Sequence, residues 1–212
     1  MAVSITIISD THQMHEDLVL PGGDILIHCG DFLELFDRDG PGLGPMDEWF
    51  GRQNYHHVLV TGGNHDIALE YAWQLGVKSF ENAELLIDEE VTVSGLRIYG
   101  APWLPDLPGH AFYLDDEGLR RKWSAVPSDV DILITHVPPF GILDRSSRGM
   151  QFGCAHLRDN LPRIAPRLHC FGHVHASAGE MQSGATLFVN ASSAISGQKA
   201  VRPPFTIEMA PR

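Results

Sequence analysis

Three short stretches crowd metal-binding side chains together: Asp10-Thr11-His12, Gly63-Asn64-His65-Asp66 and Gly172-His173-Val174-His175. Asp31, behind Gly30, and His136, ahead of Val137-Pro138-Pro139, add two more such residues. Imidazole nitrogen, carboxylate oxygen and amide oxygen are the donors with which proteins hold divalent ions. Each cluster also has a quieter use. An aspartate after a strand can cap a turn, GNHD can be a tight turn followed by a helix N-cap, and paired histidines can hydrogen-bond in a core. The joint placement favours chemistry, because every cluster ends an apolar run, and sites in α/β folds form at the carboxyl ends of strands.

Those runs are the elements that must position the donors. ITIIS (5–9), DILIHCG (24–30), HVLVTGG (57–63), LRIYG (96–100), DILITH (131–136), LHCFGH (168–173), TLFVNAS (186–192) and FTIEM (205–209) are short and rich in Ile and Val, so they read as buried strands. Helices are expected over 45–53, 67–76, 114–127 and 155–164, with Pro45 in a first turn and Gly76 as a C-terminal cap. The alternation of strand and helix predicts one α/β domain over residues 1–212. In an extended segment residues two apart point the same way, so GHVH is expected to turn both imidazoles to one place. Gly172 would let the backbone come close there.

Composition narrows the partners. The 212 residues carry 43% hydrophobic and 20% charged side chains, as ordinary globular proteins do. A formal net charge of −12 argues against a nucleic-acid backbone as partner. Cys29, Cys154 and Cys170 form no CxxC pair, and Cys29 and Cys170, at the ends of apolar runs, read as small buried thiols, which fits a reducing cytoplasm. The N-terminal apolar run is a strand rather than a signal peptide, and no stretch is long enough to span a membrane.

In order and spacing, D10-x-H12, G30-D31, G63-N64-H65-D66, H136 and G172-H173-x-H175 resemble the calcineurin-like metallophosphoesterase superfamily. GAPWLPD (100–106), DILITHVPPFGILD (131–144), LHCFGHVH and FVNAS are similar to the metallophosphoesterase-domain-containing branch of small cyclic-nucleotide phosphodiesterases. The resemblance implies a two-sheet β-sandwich flanked by helices, with two divalent metals at the strand ends. It assigns Asp10, His12, Asp31 and His175 to the first metal. Asp31, Asn64, His136 and His173 go to the second, with Asp31 bridging. Such a mixed set without thiolate suits Mn²⁺, the first expectation, and also Fe or Zn²⁺.

Two cations about 3.5–4 Å apart would activate a bridging water for in-line attack on phosphorus. His65 matches the family's catalytic histidine, a hydrogen-bond or proton donor to the leaving group. A carboxylate is expected to orient it. Glu34, three residues after the bridging aspartate, is the first candidate; Asp66 competes, although it also stands where it would cap the helix beginning at Ile67. The arginines by which related protein phosphatases grip a dianionic phosphate are missing, with Gly62 where one would stand. A diester needs less of that help. The expected reaction is therefore hydrolysis of a small phosphodiester, 3′,5′-cyclic nucleotides first. A phosphomonoesterase, a diesterase with a non-cyclic substrate and a nucleotide-binding scaffold are the rivals. Trp103 and Phe140 could line a base-binding wall, as could His110 or Phe112, with core packing the alternative for Trp103 and Phe140. Arg145 and Arg148 in RSSRG either meet a phosphate or are merely solvated.

Overall fold

Alternating side chains along each strand decide which layer it joins. The computed structural model describes residues 2–34, 42–195 and 197–212. Within them β1 (Val3–Ile8), β2 (Gly23–His28), β3 (Tyr55–Val60) and the two-residue β4 (Glu84–Leu85) run parallel. At the far edge β11 (Phe205–Met209) pairs antiparallel with β1. The second sheet comprises β5 (Glu89–Val93), β6 (Leu96–Ala101), β7 (Ile132–Thr135), β8 (Leu168–Phe171), β9 (Gly179–Ser183) and β10 (Thr186–Asn190). Its order is β5-β6-β7-β8-β10-β9, with a parallel centre and antiparallel edges.

Between the sheets lie Ile5, Ile7, Ile25, Ile27 and Leu59 from one side and Ile98, Ile132, Ile134, Leu168 and Val189 from the other. All are buried, and each is worth roughly 2 kcal/mol relative to exposure. The intervening residues Ile8, Leu26 and Val60 join a second cluster with Trp49 and Phe50 of α1 (Gly44–Gly51). Leu133 and Phe171 belong to the same cluster, with Trp123 of α3 (Asp116–Ala125) and Leu157 of α4 (Ala155–Ile164). Side chains one residue apart thus serve the sandwich and the helical layers in turn. The architecture is the expected helix-flanked, two-sheet α/β sandwich.

The expected helices lie within two residues of those observed, including α2 (Ile67–Gln74). β4, β5 and β9 were not among the expected strands. Among the described residues no helix is long and apolar enough to cross a membrane.

The two sheets meet where the site lies. Ser9, just past β1, bridges to Ser192 just past β10, and Ser193 N–H donates to Ser9 O at 2.7 Å. Gly172 N–H donates to His136 O at 3.0 Å. A Cβ on Gly172 would sit 2.1 Å from both Asp10 Oδ2 and Ser9 Oγ, so only glycine permits this approach.

Candidate metal centre and active site

The carboxyl ends of β1, β2, β3, β7 and β8 supply the donors, and their backbones bend sharply to do so. Asp10, His12, Gln13, Asp31 and His173 all have positive φ, between 43° and 68°. Left-handed conformations at non-glycine residues cost on the order of 1–3 kcal/mol each and concentrate at functional sites. His173 departs from expectation here. β8 ends at Phe171, and His175 opens a 3₁₀ turn (His175–Ser177), so the two imidazoles converge through a left-handed residue and a turn rather than strand alternation.

The side chains assemble two adjoining donor groups, and His12, Asp31 and His65 also offer ligand atoms within 4.8 Å of one another. In the first, Asp10, His12 and His175 offer ligand atoms within 4.8 Å of one another. His175 Nε2 lies 3.3 Å from Asp10 Oδ1 and 3.3 Å from His12 Nε2. In the second, Asn64 Oδ1 lies 3.0 Å from His136 Nε2 and 2.9 Å from His173 Nδ1. Asp31 stands between, its Oδ2 3.4 Å from His136 Nε2 and 4.0 Å from His12 Nε2. Asp10, Asp31 and His136 also lie within 4.8 Å of one another.

The donor chemistry passes a test of fit for divalent ions. His12 Nδ1 donates to Leu33 O at 3.1 Å and His136 Nδ1 to Cys29 O at 2.9 Å, so whenever either ring is neutral its Nε2 lone pair faces the cluster. Lone pairs aimed at each other and at carboxylates are repulsive unless a cation or proton lies between. Asp10 is anchored from behind by Ser192 Oγ at 2.8 Å and His173 N–H. The three cysteines are buried free thiols and none is among these donors.

Charge follows burial and pairing. Burial alone would raise the carboxyls of Asp10 and Asp31, but the imidazoles of His175 and His136 hold both below the usual range. Burial would lower His136, yet Asp31 and Asp10 lift it to about 9. Burial dominates at His173 and takes it down to about 4.

His65 sits on the floor of a cavity of about 350 Å³ whose base also includes Asp31, Asn64, His173 and His175. Its backbone N–H donates to Asp31 Oδ1 at 2.8 Å, and its ring Nε2 is 3.9 Å from Asp31 Oδ2. Neither expected carboxylate orients it. Among the described residues its buried Nδ1 has no hydrogen-bond partner, and Glu34 is exposed. Asp66 neither orients His65 nor caps α2 with its side chain. Its carboxylate instead accepts the backbone N–H groups of Asp31, Phe32, Leu33 and Gly63 at 2.8–3.1 Å, tying the Asp31 loop to the Asn64 loop. Burial and the neighbouring Asp31 push Asp66 up to about 8, against the N–H groups of Gly63 and Leu33.

The expected aromatic wall is also corrected. Trp103 is 4% exposed and packs on Phe112 and Trp73, with Nε1 donating to Asp88 at 2.7 Å, so it is core. Phe140 is exposed but does not line the cavity. The walls are Leu107, Val174 and Ala176, together with Ser146, Ser147 and the part-exposed Phe152. RSSRG therefore contributes its serines rather than its arginines. Phe152 and Ser146 went unrecognised because nothing in their local sequence distinguishes them. Phe112 is buried against Gly62, where an added Cβ would lie 2.2 Å from its ring, so the position of the absent arginine has no room for a side chain. A larger groove of about 670 Å³ lies beside β3 and α2, away from all these donors.

Comparison with known proteins settles the family. A family model for calcineurin-like phosphoesterases matches residues 3–177. The chain belongs to that family. It is 38% identical to a human protein, Metallophosphoesterase domain-containing protein 1, over 95% of this chain and 69% of the relative. The nematode Caenorhabditis elegans has UPF0046 protein K07C11.7, 33% identical over 95% of this chain and 73% of its own length. Among solved structures, the phosphopantetheinyl hydrolase PptH of Mycobacterium tuberculosis superposes with a TM-score of 0.58 over 89% of this chain and 88% of its own. At 17% identity that likeness speaks for the fold alone. Membership makes the chain a metal-dependent phosphoesterase, and the converging donors fit that chemistry.

Proposed function

We propose that this phosphoesterase hydrolyses small phosphodiesters, with 3′,5′-cyclic nucleotides as the leading substrate class and two Mn²⁺ ions as its metals. The observation that carries the reading is the cavity over the donor groups. It combines an apolar wall and an aromatic face with a floor of imidazoles and carboxylates, and no Lys or Arg lines it among the described residues. A monoester dianion would gain much from fixed cations there, whereas a diester carries one charge and part of an apolar body. A volume of about 350 Å³ lies in the range of small-ligand sites.

Two divalent cations, once bound, supply Lewis acidity at the phosphate oxygens and lower the pKa of a water. Asp10, His12, Asp31 and His175 would hold one, and Asp31, Asn64, His136 and His173 the other. The chain's own residues do the rest. His65, at the edge of the cluster and part-exposed to the cavity, donates a hydrogen bond or proton to the leaving oxygen. Phe152 presents its ring to the base. The reading places the protein in the cytoplasm with a small-molecule partner and no nucleic acid. The buried thiols and the net charge of −12 support it.

The test is hydrolysis by metal-stripped protein reloaded with Mn²⁺, comparing bis(p-nitrophenyl) phosphate, p-nitrophenyl phosphate and the 2′,3′- and 3′,5′-cyclic forms of AMP. Diester and cyclic-nucleotide turnover well above the monoester is expected. Monoester preference would make the protein a phosphatase on the same centre. Metal binding without turnover would make it a nucleotide-binding scaffold.

A further inference from the structure

Asn64 has a difficulty that the other donors of the centre do not share. A carboxylate presents oxygen whichever way it turns, but an amide rotated by half a turn replaces its oxygen with an NH₂ group. The two ends are nearly equal in size, so packing does little to choose between them. In the loaded centre His136 Nε2 and His173 Nδ1 would both turn lone pairs to the cation, so neither would remain to select the amide oxygen. The cation itself favours the oxygen; what the protein can add is an acceptor for the NH₂ group on the other side of Asn64, so that this orientation is already held.

That side is occupied by His110. Its Nδ1 lies 3.4 Å from Asn64 Nδ2, while Asn64 Oδ1 faces His136 and His173. An amide nitrogen only donates, so Nδ1 is the acceptor and the ring's proton is on Nε2. The loop carrying His110 is fixed on both flanks. His110 N–H donates to Leu107 O at 3.1 Å, Ala111 N–H to Asn64 O at 3.2 Å, and Phe112 N–H to Glu70 Oε1 at 3.0 Å. Phe112 itself is buried against Gly62, two residues before Asn64. The acceptor is therefore held against the loop whose side chain it contacts. His110 also meets the His65 ring edge-on, with centroids 6.4 Å apart.

We propose that His110 is a positioning residue: by accepting from the Asn64 amide it locks the oxygen of that amide toward the second metal. The inference rests on the reading of Asn64 as a metal ligand. Losing a partner of this kind typically weakens metal affinity about 10–100-fold.

The experiment titrates Mn²⁺ into the full chain, following stoichiometry and affinity by calorimetry for wild type, His110→Asn, His110→Gln and His110→Leu. An asparagine side chain places its amide oxygen near the position of imidazole Nδ1; glutamine reaches the position of Nε2 instead. His110→Asn should bind both ions within a few-fold of wild type. His110→Gln and His110→Leu should keep one ion and bind the other at least about tenfold more weakly. In an Asn64→Ala background, His110→Leu should add no further loss. Equal affinities in all four proteins, or equal weakening in His110→Asn and His110→Leu, would overturn the proposal. If His110→Leu fails to fold, the Asn–Gln pair decides alone. Failure of wild type to bind a second Mn²⁺ would instead defeat the reading of the centre, a different result from two tight sites insensitive to His110.

Discussion

At the scale of single residues, the groups proposed to hold metal stand apart from those proposed to meet substrate. His65 has its backbone tied to Asp31 while its ring opens to the cavity. His65→Ala should therefore retain bound metal while kcat falls about 10²–10⁴-fold, most for diesters with poor leaving groups. Metal analysis beside a leaving-group series would check this, and loss of metal would make His65 a ligand. Phe152→Ala should raise KM for a cyclic nucleotide about five- to a hundredfold, the range of a lost base–aromatic stack, and leave KM for bis(p-nitrophenyl) phosphate less affected. Trp103→Ala should instead lower thermal stability by several kcal/mol, as truncation of a buried aromatic does. At this scale the sequence showed residue types but not directions. Asp10, His12, Asp31, Asn64, His65, Asp66, His136, His173 and His175 stood out because donors so rarely cluster at successive strand ends, and only the family resemblance set His65 and Asp66 apart from the other seven. Trp103 and Phe152 were not separable, since an aromatic side chain suits a core and a binding wall equally well.

Among the elements, the central strands were legible because burial on both faces demands continuous runs such as ITII and ILIT. The edge strands were not. β5 (EEVTV) and β9 (GEMQS) are polar or charged along much of their length and owe their conformation to pairing with β6 and β10. The loops were legible in composition and not in shape. GHVH carries two imidazoles as expected, but left-handed His173 and the following turn aim them. Asp66 sits at the start of α2, where a cap is the ordinary reading, and it binds the backbone of a loop more than thirty residues earlier in the chain. No local pattern encodes such a contact. The close approach at Gly172 gives a prediction at this scale. Gly172→Ala would force a Cβ against Asp10 and Ser9, so it should displace Asp10 and weaken metal binding while the strands persist. Circular dichroism beside a Mn²⁺ titration separates the two effects, and unchanged affinity would show that the loop has slack.

For the molecule as a whole, the fold also buries His28 and His169, neither of them a metal donor, in the neutral form, and this contributes to its response to acid. His28 donates Nε2–H to Thr11 Oγ1 and accepts at Nδ1 from Gly30 N–H. His169 donates Nε2–H to Thr135 Oγ1, and its Nδ1 has no partner among the described residues. Burial takes both down to about 3. An unfolded histidine titrates near 6.5, so between about pH 6.5 and 3 the unfolded chain binds more protons and stability falls as pH falls. Each group contributes at most about 1.4 kcal/mol per pH unit in that window. Urea midpoints followed from pH 7 to pH 4 should decline, and His169→Gln, which keeps a donor near Nε2, should flatten the decline. A slope unchanged by that substitution would remove His169 from the account.

The claim on which the rest depends is a two-metal centre bridged by Asp31. Its most direct test is the metal content of Mn²⁺-reloaded wild type and Asp31→Asn, measured with bis(p-nitrophenyl) phosphate turnover on the same samples. The account predicts two Mn²⁺ per wild-type chain, and for Asp31→Asn fewer ions with turnover at background. Asp31→Asn protein that held both ions and kept its turnover would contradict it.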